Sequence, residues 1–148
     1  MEYGIVLIAK GSPNGEKAAE KAAQLAKEKS INTIHILFVN DTEFFKGGGF
    51  VHLEKELEKS LDNIGTIIMD KLEKVIKQSN SNIDIKRIEL KGNTAEEILK
   101  FVNENKVDTL IIPKEDRGPI EKSLTGGDIE PFFNEIKKKV KNLIIVER

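Results

Sequence analysis

The chain has 148 residues, no cysteine and a formal net charge of −1. This length suits one domain over residues 1–148 with a single core, and the lack of cysteine excludes disulfides, thiol chemistry and Cys-based metal sites. The balanced charge provides no broad basic surface for nucleic acid, no apolar run can span a bilayer, and no secretion signal is visible. We therefore expect a cytoplasmic protein without nucleic-acid or membrane partners.

The first half of the chain alternates between apolar strands and amphipathic helices. Residues 3–9 and 33–39 are continuous apolar runs, which are typical of central parallel strands covered on both faces. An alanine-rich helix is predicted between them, at about 16–29, and a long amphipathic helix follows at about 53–78. Residues 44–50 contain three phenylalanines and three glycines, so they form either a lid over a ligand or a contact with the long helix or a second subunit.

The second half continues the same alternation. Residues 83–90 alternate between apolar and charged side chains, which indicates an edge strand with one wetter face. Thr94 and Glu97 have the spacing of a capping box, so a third helix is predicted to start there. A buried strand follows at 109–112.

The last two predicted elements are a helix and a short strand. Asp128 is a natural N-cap for a fourth helix, and Pro131 falls within its first turn, where proline is tolerated. The apolar residues of this helix extend to Val140, and a fifth strand occupies 143–146. The whole order predicts an α/β, Rossmann-like fold: one doubly wound, five-stranded parallel sheet with strand order 3-2-1-4-5 and helices on both faces.

The turn Lys10-Gly11-Ser12 after the first strand is one candidate site. In such a sheet, ligands bind outside the carboxyl ends of the strands. Backbone N–H groups, the Ser12 hydroxyl and Lys10 are all suited to an anion there. The alternative is an ordinary tight turn, with Ser12 capping the helix and Pro13 in its first position.

The glycine pair Gly126-Gly127 before the fourth helix is the second candidate. Two glycines allow a phosphate to approach the backbone closely. Alternatively, they serve a loop that needs positive φ. Asp128 directly after them argues against an anion, because a carboxylate already lies at the positive end of the helix.

Catalytic and metal sites find little support in the sequence. His35 and His52 have no companion ligands at zinc spacing, and no nucleophile elbow, Walker A or dinucleotide motif follows the first strand. The acidic run at 115–117 suits either a bound ion or solvated loop residues, and the lysines at 137–141 are most simply a solvated helix end. We therefore predict no catalytic residues and no metal.

Several stretches together resemble the universal stress protein family over essentially the whole chain. The turn at 10–12 with the alanine-rich helix, the strand ending at 38–41, and the helix and strand at 92–99 and 107–112 carry the resemblance. ATP-binding members carry the signature Gly-x2-Gly-x9-Gly-(Ser/Thr) after the fourth strand. Aligned here, its positions fall in order on Pro113, Asp116, Gly126 and Gly127, so three of the four differ.

Two interpretations of function follow from the resemblance. The first is a universal-stress-protein-like domain with a degraded ATP signature, which acts in stress adaptation or regulation through association rather than catalysis. The second is an adenine-nucleotide-binding protein, with slow ATP hydrolysis as its furthest extension, or a site for another small anion. The residues of that site are Lys10, Gly11, Ser12, Gly126 and Gly127 at the phosphates and, as the resemblance implies, Val39 at the base.

Self-association is a separate prediction. The strand at 143–146 is short, apolar and terminal, so it is expected at a sheet edge, and such edges favour pairing with another chain. The last strand of this family often joins two subunits. We therefore predict a homodimer through the C-terminal strand.

Overall fold

The computed structural model describes residues 2–41, 54–116 and 129–147. Its five strands are β1 Glu2–Ile8, β2 Thr33–Asn40, β3 Asp84–Lys91, β4 Lys106–Pro113 and β5 Asn142–Val146. Its helices are α1 Pro13–Glu28, α2 Glu54–Ser79, α3 Thr94–Glu104 and the short α4 Phe133–Lys137, which follows a 3-10 turn at Glu130–Phe132.

All five strands pair in parallel in the order β3-β2-β1-β4-β5. The predicted α/β class and strand order are therefore confirmed. The helices lie on both faces, since α1 and α2 contribute to one core cluster and α3 and α4 to the other. Strand order reverses between β1 and β4, whose connections leave toward opposite faces, and such a switch point is where open α/β sheets form ligand crevices.

On the first face, small residues allow the helices to lie close to the sheet. Four alanines of α1, Ala18, Ala19, Ala22 and Ala23, are completely buried. On α2, a Cβ atom at Gly65 would overlap the ring of Phe38. Glycine is therefore required there because α2 crosses directly over this side chain of β2.

The start of α3 is confirmed, but the predicted capping box is wrong. The N-cap is Asn93, whose side chain accepts the Glu96 N–H at 3.1 Å. Thr94 instead donates both its N–H and its hydroxyl to the buried carboxylate of Asp41, at 3.2 and 2.8 Å. Asp41, the residue directly after β2, therefore fixes the start of α3, which spacing along the helix alone does not reveal.

The predicted fourth helix is shorter than expected. Its described part is the 3-10 turn followed by five α-helical residues, which end at Lys137 rather than at Val140. The Lys139 N–H donates to Ile136 O, and the Lys141 N–H donates to Val107 O at 3.5 Å. The chain thus tightens its last turn and then passes to the sheet. Ile129, Ile136 and Val140 are buried, as their spacing predicted.

The edge strands differ in chemistry. On β3 the burial alternates, as predicted for an edge, and Arg87 forms ion pairs with Asp70 and Glu73 of α2. On β5, Ile145 leaves 41% of its surface exposed.

Among the described residues, no helix is both long and apolar enough to cross a membrane.

Candidate functional site

The turn after β1 builds the N-terminus of α1, at the carboxyl edge of the sheet. Ser12 is the N-cap, and its hydroxyl accepts the Gly15 N–H at 3.3 Å. Its carbonyl oxygen accepts the Glu16 N–H at 3.2 Å. Pro13 occupies the first turn, where its missing N–H leaves nothing unsatisfied. The capping role foreseen for Ser12 is therefore confirmed.

The remaining donor of this first turn is used by a residue from the other side of the switch point. The Asn14 N–H donates to Asp116 Oδ2 at 2.9 Å, and the Asn14 side-chain amide donates to Lys114 O at 3.1 Å. Asn14 is buried, with 6% of its surface exposed. A carboxylate of the chain thus occupies the positive end of α1, the position that a bound anion takes in a phosphate-binding site.

Glycine at position 15 makes this arrangement possible. A Cβ atom there would overlap the backbone carbonyl of Lys10, so the turn closes more tightly than any other residue permits. Gly11 is less restricted, because its Cβ position lies 3.2 Å from the Ile68 side chain of α2. The tight turn brings Lys10, Gly11 and Ser12 together at the edge of the sheet.

A small cavity lies beside this turn, on the face covered by α4. Its polar lining includes Lys10, Glu115 and Glu130, and its volume is about 10 Å³, which is room for about one water molecule. The Glu115 N–H donates to Glu130 Oε1 at 3.0 Å. Carboxylates therefore also occupy this second part of the edge. The apolar lining residues are Ile112, Pro113, Ile129 and Phe133.

The ends of β2 add buried polar groups to the same edge. Val39 is 7% exposed and packs into the core on the side of α3 and α4. Asn40 donates its amide to Glu58 O at 2.9 Å and to Asp62 Oδ1 at 2.8 Å, and within the described part of the chain its own oxygen has no partner.

Gly126 and Gly127 lie outside the described residues, so the structure joins only four of the six predicted site residues to this edge.

Sequence reasoning missed the pairing of Asn14 with Asp116. Alignment placed Asp116 at a signature glycine and indicated only that its charge repels phosphate. The pair is separated by 102 positions, so no local pattern reveals it. The usable signal was Asn14 itself, since an N–H in the first turn of a helix requires an acceptor.

The histidine in the sheet packs against an aromatic ring. Among residues 2–41, 54–116 and 129–147, no three His, Cys, Asp or Glu side chains are grouped as a metal ion requires. The His35 ring meets Tyr3 edge to face with 4.6 Å between ring centroids. Burial lowers the pKa of His35 below its usual 6.5, and nearby Lys86 lowers it further while Asp84 opposes the shift.

Comparison with known proteins identifies relatives of this fold. The model of the Universal stress protein family matches residues 2–131. A comparison with curated protein sequences found no match.

Solved structures agree with the family match. The chain is similar to universal stress protein UspA from Lactobacillus plantarum, with 13% identity, 99% coverage of both chains and a TM-score of 0.74. It is also similar to a universal stress protein in complex with cAMP, with 16% identity, 97% and 95% coverage and a TM-score of 0.60. A third similar structure is the Archaeoglobus fulgidus universal stress protein in complex with dAMP, with 15% identity, 99% and 98% coverage and a TM-score of 0.58.

Proposed function

The chain belongs to the universal stress protein family, and from this membership we propose that it is a non-catalytic regulatory domain whose carboxyl edge does not hold ATP. The observation that carries the proposal is the hydrogen bond from the Asn14 N–H to the Asp116 carboxylate at 2.9 Å. A phosphate at the end of α1 would have to displace this carboxylate and then lie beside it. Both steps oppose binding, since the Asp116 carboxylate loses its hydrogen bond from Asn14 and is brought close to the negative charge of the phosphate.

Two further features support this proposal. Pro113, at the first signature position, has no N–H to offer a phosphate, and Glu115, two residues later, donates its own N–H to Glu130. The cavity beside Lys10 is water-sized, at about 10 Å³, whereas sites for small organic ligands typically have about 300–1,000 Å³. A nucleotide does not fit into this cavity as the described residues form it.

The direct test is to measure nucleotide in the purified protein. We expect denatured, freshly purified protein to release no stoichiometric ATP, ADP, AMP or cAMP, and calorimetric titration with each to give no saturable heat. A nucleotide-binding universal stress protein purified in parallel provides the positive control. One nucleotide released per chain would overturn the proposal.

The second candidate function is adenine-nucleotide binding through a variant of this site. Two similar structures are complexes with cAMP and dAMP, which motivates testing nucleotides other than ATP. In this arrangement Lys10 meets the phosphate, with Gly11, Ser12, Gly126 and Gly127 around it and Val39 at the base. In its strongest form, this second candidate also includes slow hydrolysis of ATP.

A matched pair of lysine variants tests this second candidate. Lys10→Ala should weaken nucleotide binding if Lys10 contacts the phosphate, whereas Lys17→Ala should not. Lys17 is an exposed residue of α1 that pairs with Glu20 at 3.4 Å, so it controls for the loss of one positive charge. Equal affinities of Lys10→Ala and the unmodified protein for cAMP would contradict this site.

We also propose that the protein acts as a homodimer through β5. Within the described residues β5 pairs only with β4, so its other edge carries backbone groups that suit a second strand. Ile145 exposes 41% of its surface on this strand, and an apolar residue at an open edge favours association. Pairing two copies of β5 would cover both features.

The oligomeric state can be tested with two isoleucine variants. Light scattering should give about twice the chain mass of 16.6 kDa for the unmodified protein, and Ile145→Lys should lower it to the mass of one chain. Ile67→Lys is the control, since Ile67 lies on α2 and is 67% exposed. A monomer at micromolar concentration, or equal effects of both variants, would contradict the proposal.

A further inference from the structure

The opposite edge of the sheet contains a larger and more basic groove. It lies at the amino ends of β1 and β4, where the chain leaves α4, and has a volume of about 690 Å³. This volume falls within the range of small-molecule sites. Four lysines line it together with two carboxylates, namely Lys106, Lys138, Lys139, Lys141, Glu2 and Asp108. The lining therefore has an excess of two positive charges, although the whole chain has a net charge of −1.

The lysines of the α4 end are not neutralised by neighbours. Lys106 pairs with Glu2 at 3.6 Å, but Lys138, Lys139 and Lys141 form no ion pair within the described part of the chain. All three lysines line the groove, and the Lys141 N–H bonds to Val107 O, which joins the turn after α4 to the sheet. The two carboxylates among the described lining residues, Glu2 and Asp108, come from the strands.

The floor of the groove is apolar and fixed in place. Val107 and Val140 line it while belonging to the core, with 3% and 9% of their surfaces exposed. Tyr3 forms a wall, and its ring is supported by Phe101 at 5.1 Å and His35 at 4.6 Å between centroids. Gly4 also lines the groove. A ligand that carries charge but has no apolar part would make no contact with this apolar surface.

We propose that this groove binds a small phosphorylated organic molecule, with its phosphate at the lysines and an apolar or ring portion against Tyr3 and Val107. A phosphate monoester carries about −1.5 to −2 charges at neutral pH, which complements the excess of two positive charges. Lysine binds phosphate as a point charge and requires no fixed fork geometry. The site is independent of the carboxyl edge, since the length of β4 separates them by about 23 Å at ~3.3 Å per residue.

The first experiment compares phenyl phosphate with inorganic phosphate in amide NMR titrations of the full chain at low ionic strength. We expect saturable shifts at Tyr3, Val107 and Lys141 with phenyl phosphate, and weaker binding of inorganic phosphate, which lacks the ring. Added salt should weaken both, because the Debye length falls to ~10 Å at 0.1 M. Shifts centred on Gly11 and Asn14, equal affinity for the two probes, or no saturable shift would each overturn the proposal.

The second experiment reverses charge at the groove and at a matched surface. Lys139→Glu/Lys141→Glu should weaken phenyl phosphate binding roughly tenfold, since it removes two attractive charges and adds two repulsive ones at an exposed site. Lys74→Glu/Lys77→Glu makes the same change of net charge on α2, where both lysines line a different surface depression, and should change the affinity less than about twofold. Circular dichroism confirms that each variant is folded. Equal losses in both double variants would show that net charge alone is responsible, and would overturn the proposal.

Discussion

The described residues around the two sites differ in charge. At the carboxyl edge, the turn after β1, the end of β4 and the segment before α4 contribute three carboxylates and two lysines, namely Glu115, Asp116, Glu130, Lys10 and Lys114. At the amino edge, four lysines accompany two carboxylates. At the carboxyl edge, where α/β folds usually bind ligands, the described N–H groups of Asn14, Gly15 and Glu115 already donate to side chains of the chain itself.

Position in the fold and availability of hydrogen-bond donors are therefore separate requirements for a ligand site. The N-terminus of α1 has the partial positive charge of any helix end, but its first-turn N–H groups already have partners. The groove at the amino edge has no helix N-terminus, but its lysines and its volume remain accessible. An anion should therefore bind at the amino edge in preference to the carboxyl edge, although α/β folds usually bind ligands at the carboxyl edge.

Glycine-to-alanine variants at the two edges should show the largest difference. Gly15→Ala should destabilise the protein by about 1–3 kcal/mol, because the added Cβ would overlap the Lys10 carbonyl in a closed turn. Gly4→Ala at the amino edge meets only Ile31 at 3.5 Å, an ordinary contact, so its free energy of unfolding should change by less than about 1 kcal/mol. Denaturant titration measures both. Equal losses of stability in the two variants would contradict the close packing of Gly15 against the Lys10 carbonyl.

Removing the carboxylate at the end of α1 should have the next largest effect. Asp116→Ala should cost about 1 kcal/mol of stability, as the loss of a helix cap does, because the Asn14 N–H loses its acceptor. Asp116→Asn keeps an oxygen and should cost less. If the carboxylate excludes anions, both variants should bind inorganic phosphate at Asn14 more tightly than the unmodified protein in NMR titrations. Unchanged phosphate binding by both variants would show that Asp116 does not exclude anions.

Acidification should destabilise the protein through His35, which lies behind the Tyr3 wall of the amino-edge groove. Burial lowers its pKa in the folded state, so below pH 6.5 the unfolded chain takes up a proton that the folded chain resists. The free energy of unfolding should therefore fall as the pH falls through 6.5 and stay unaffected by His35 at higher pH. Denaturation of His35→Phe on both sides of pH 6.5 should show a smaller loss on acidification; an equal loss would exclude His35 as the cause.

The smallest effect on stability is expected for Glu2→Gln. Glu2 and Lys106 are 78% and 79% exposed and 3.6 Å apart, so losing this pair should change stability by less than about 1 kcal/mol. The excess positive charge of the groove rises, however, and phenyl phosphate should bind more tightly. Glu20→Gln, which removes a carboxylate from the exposed pair on α1, is the control. A similar gain for both variants would indicate a general charge effect.

Much of the fold was predictable because it depends on patterns that recur along the chain. Apolar runs identified β1, β2 and β4, and alternation of apolar and charged residues identified β3 as an edge strand. These patterns are informative because buried side chains recur along a strand with its period. The right-handed crossover rule then led from the element order to the sheet order. The alanine-rich α1 was predictable as well, because small side chains allow a helix to lie close to a sheet.

The strand order, the helices on both faces and the position of a turn after β1 were predictable from the sequence, because they follow from the local hydrophobic period and from chain connectivity. The sequence did not determine which groups satisfy the end of α1 or the start of α3. Those depend on Asp116 and Asp41, which reach Asn14 and Thr94 across 102 and 53 positions. These partners come together only in the folded chain, which also places Lys138, Lys139 and Lys141 along one groove. The reason is that hydrogen bonds and charge act on distance in space rather than on separation along the chain.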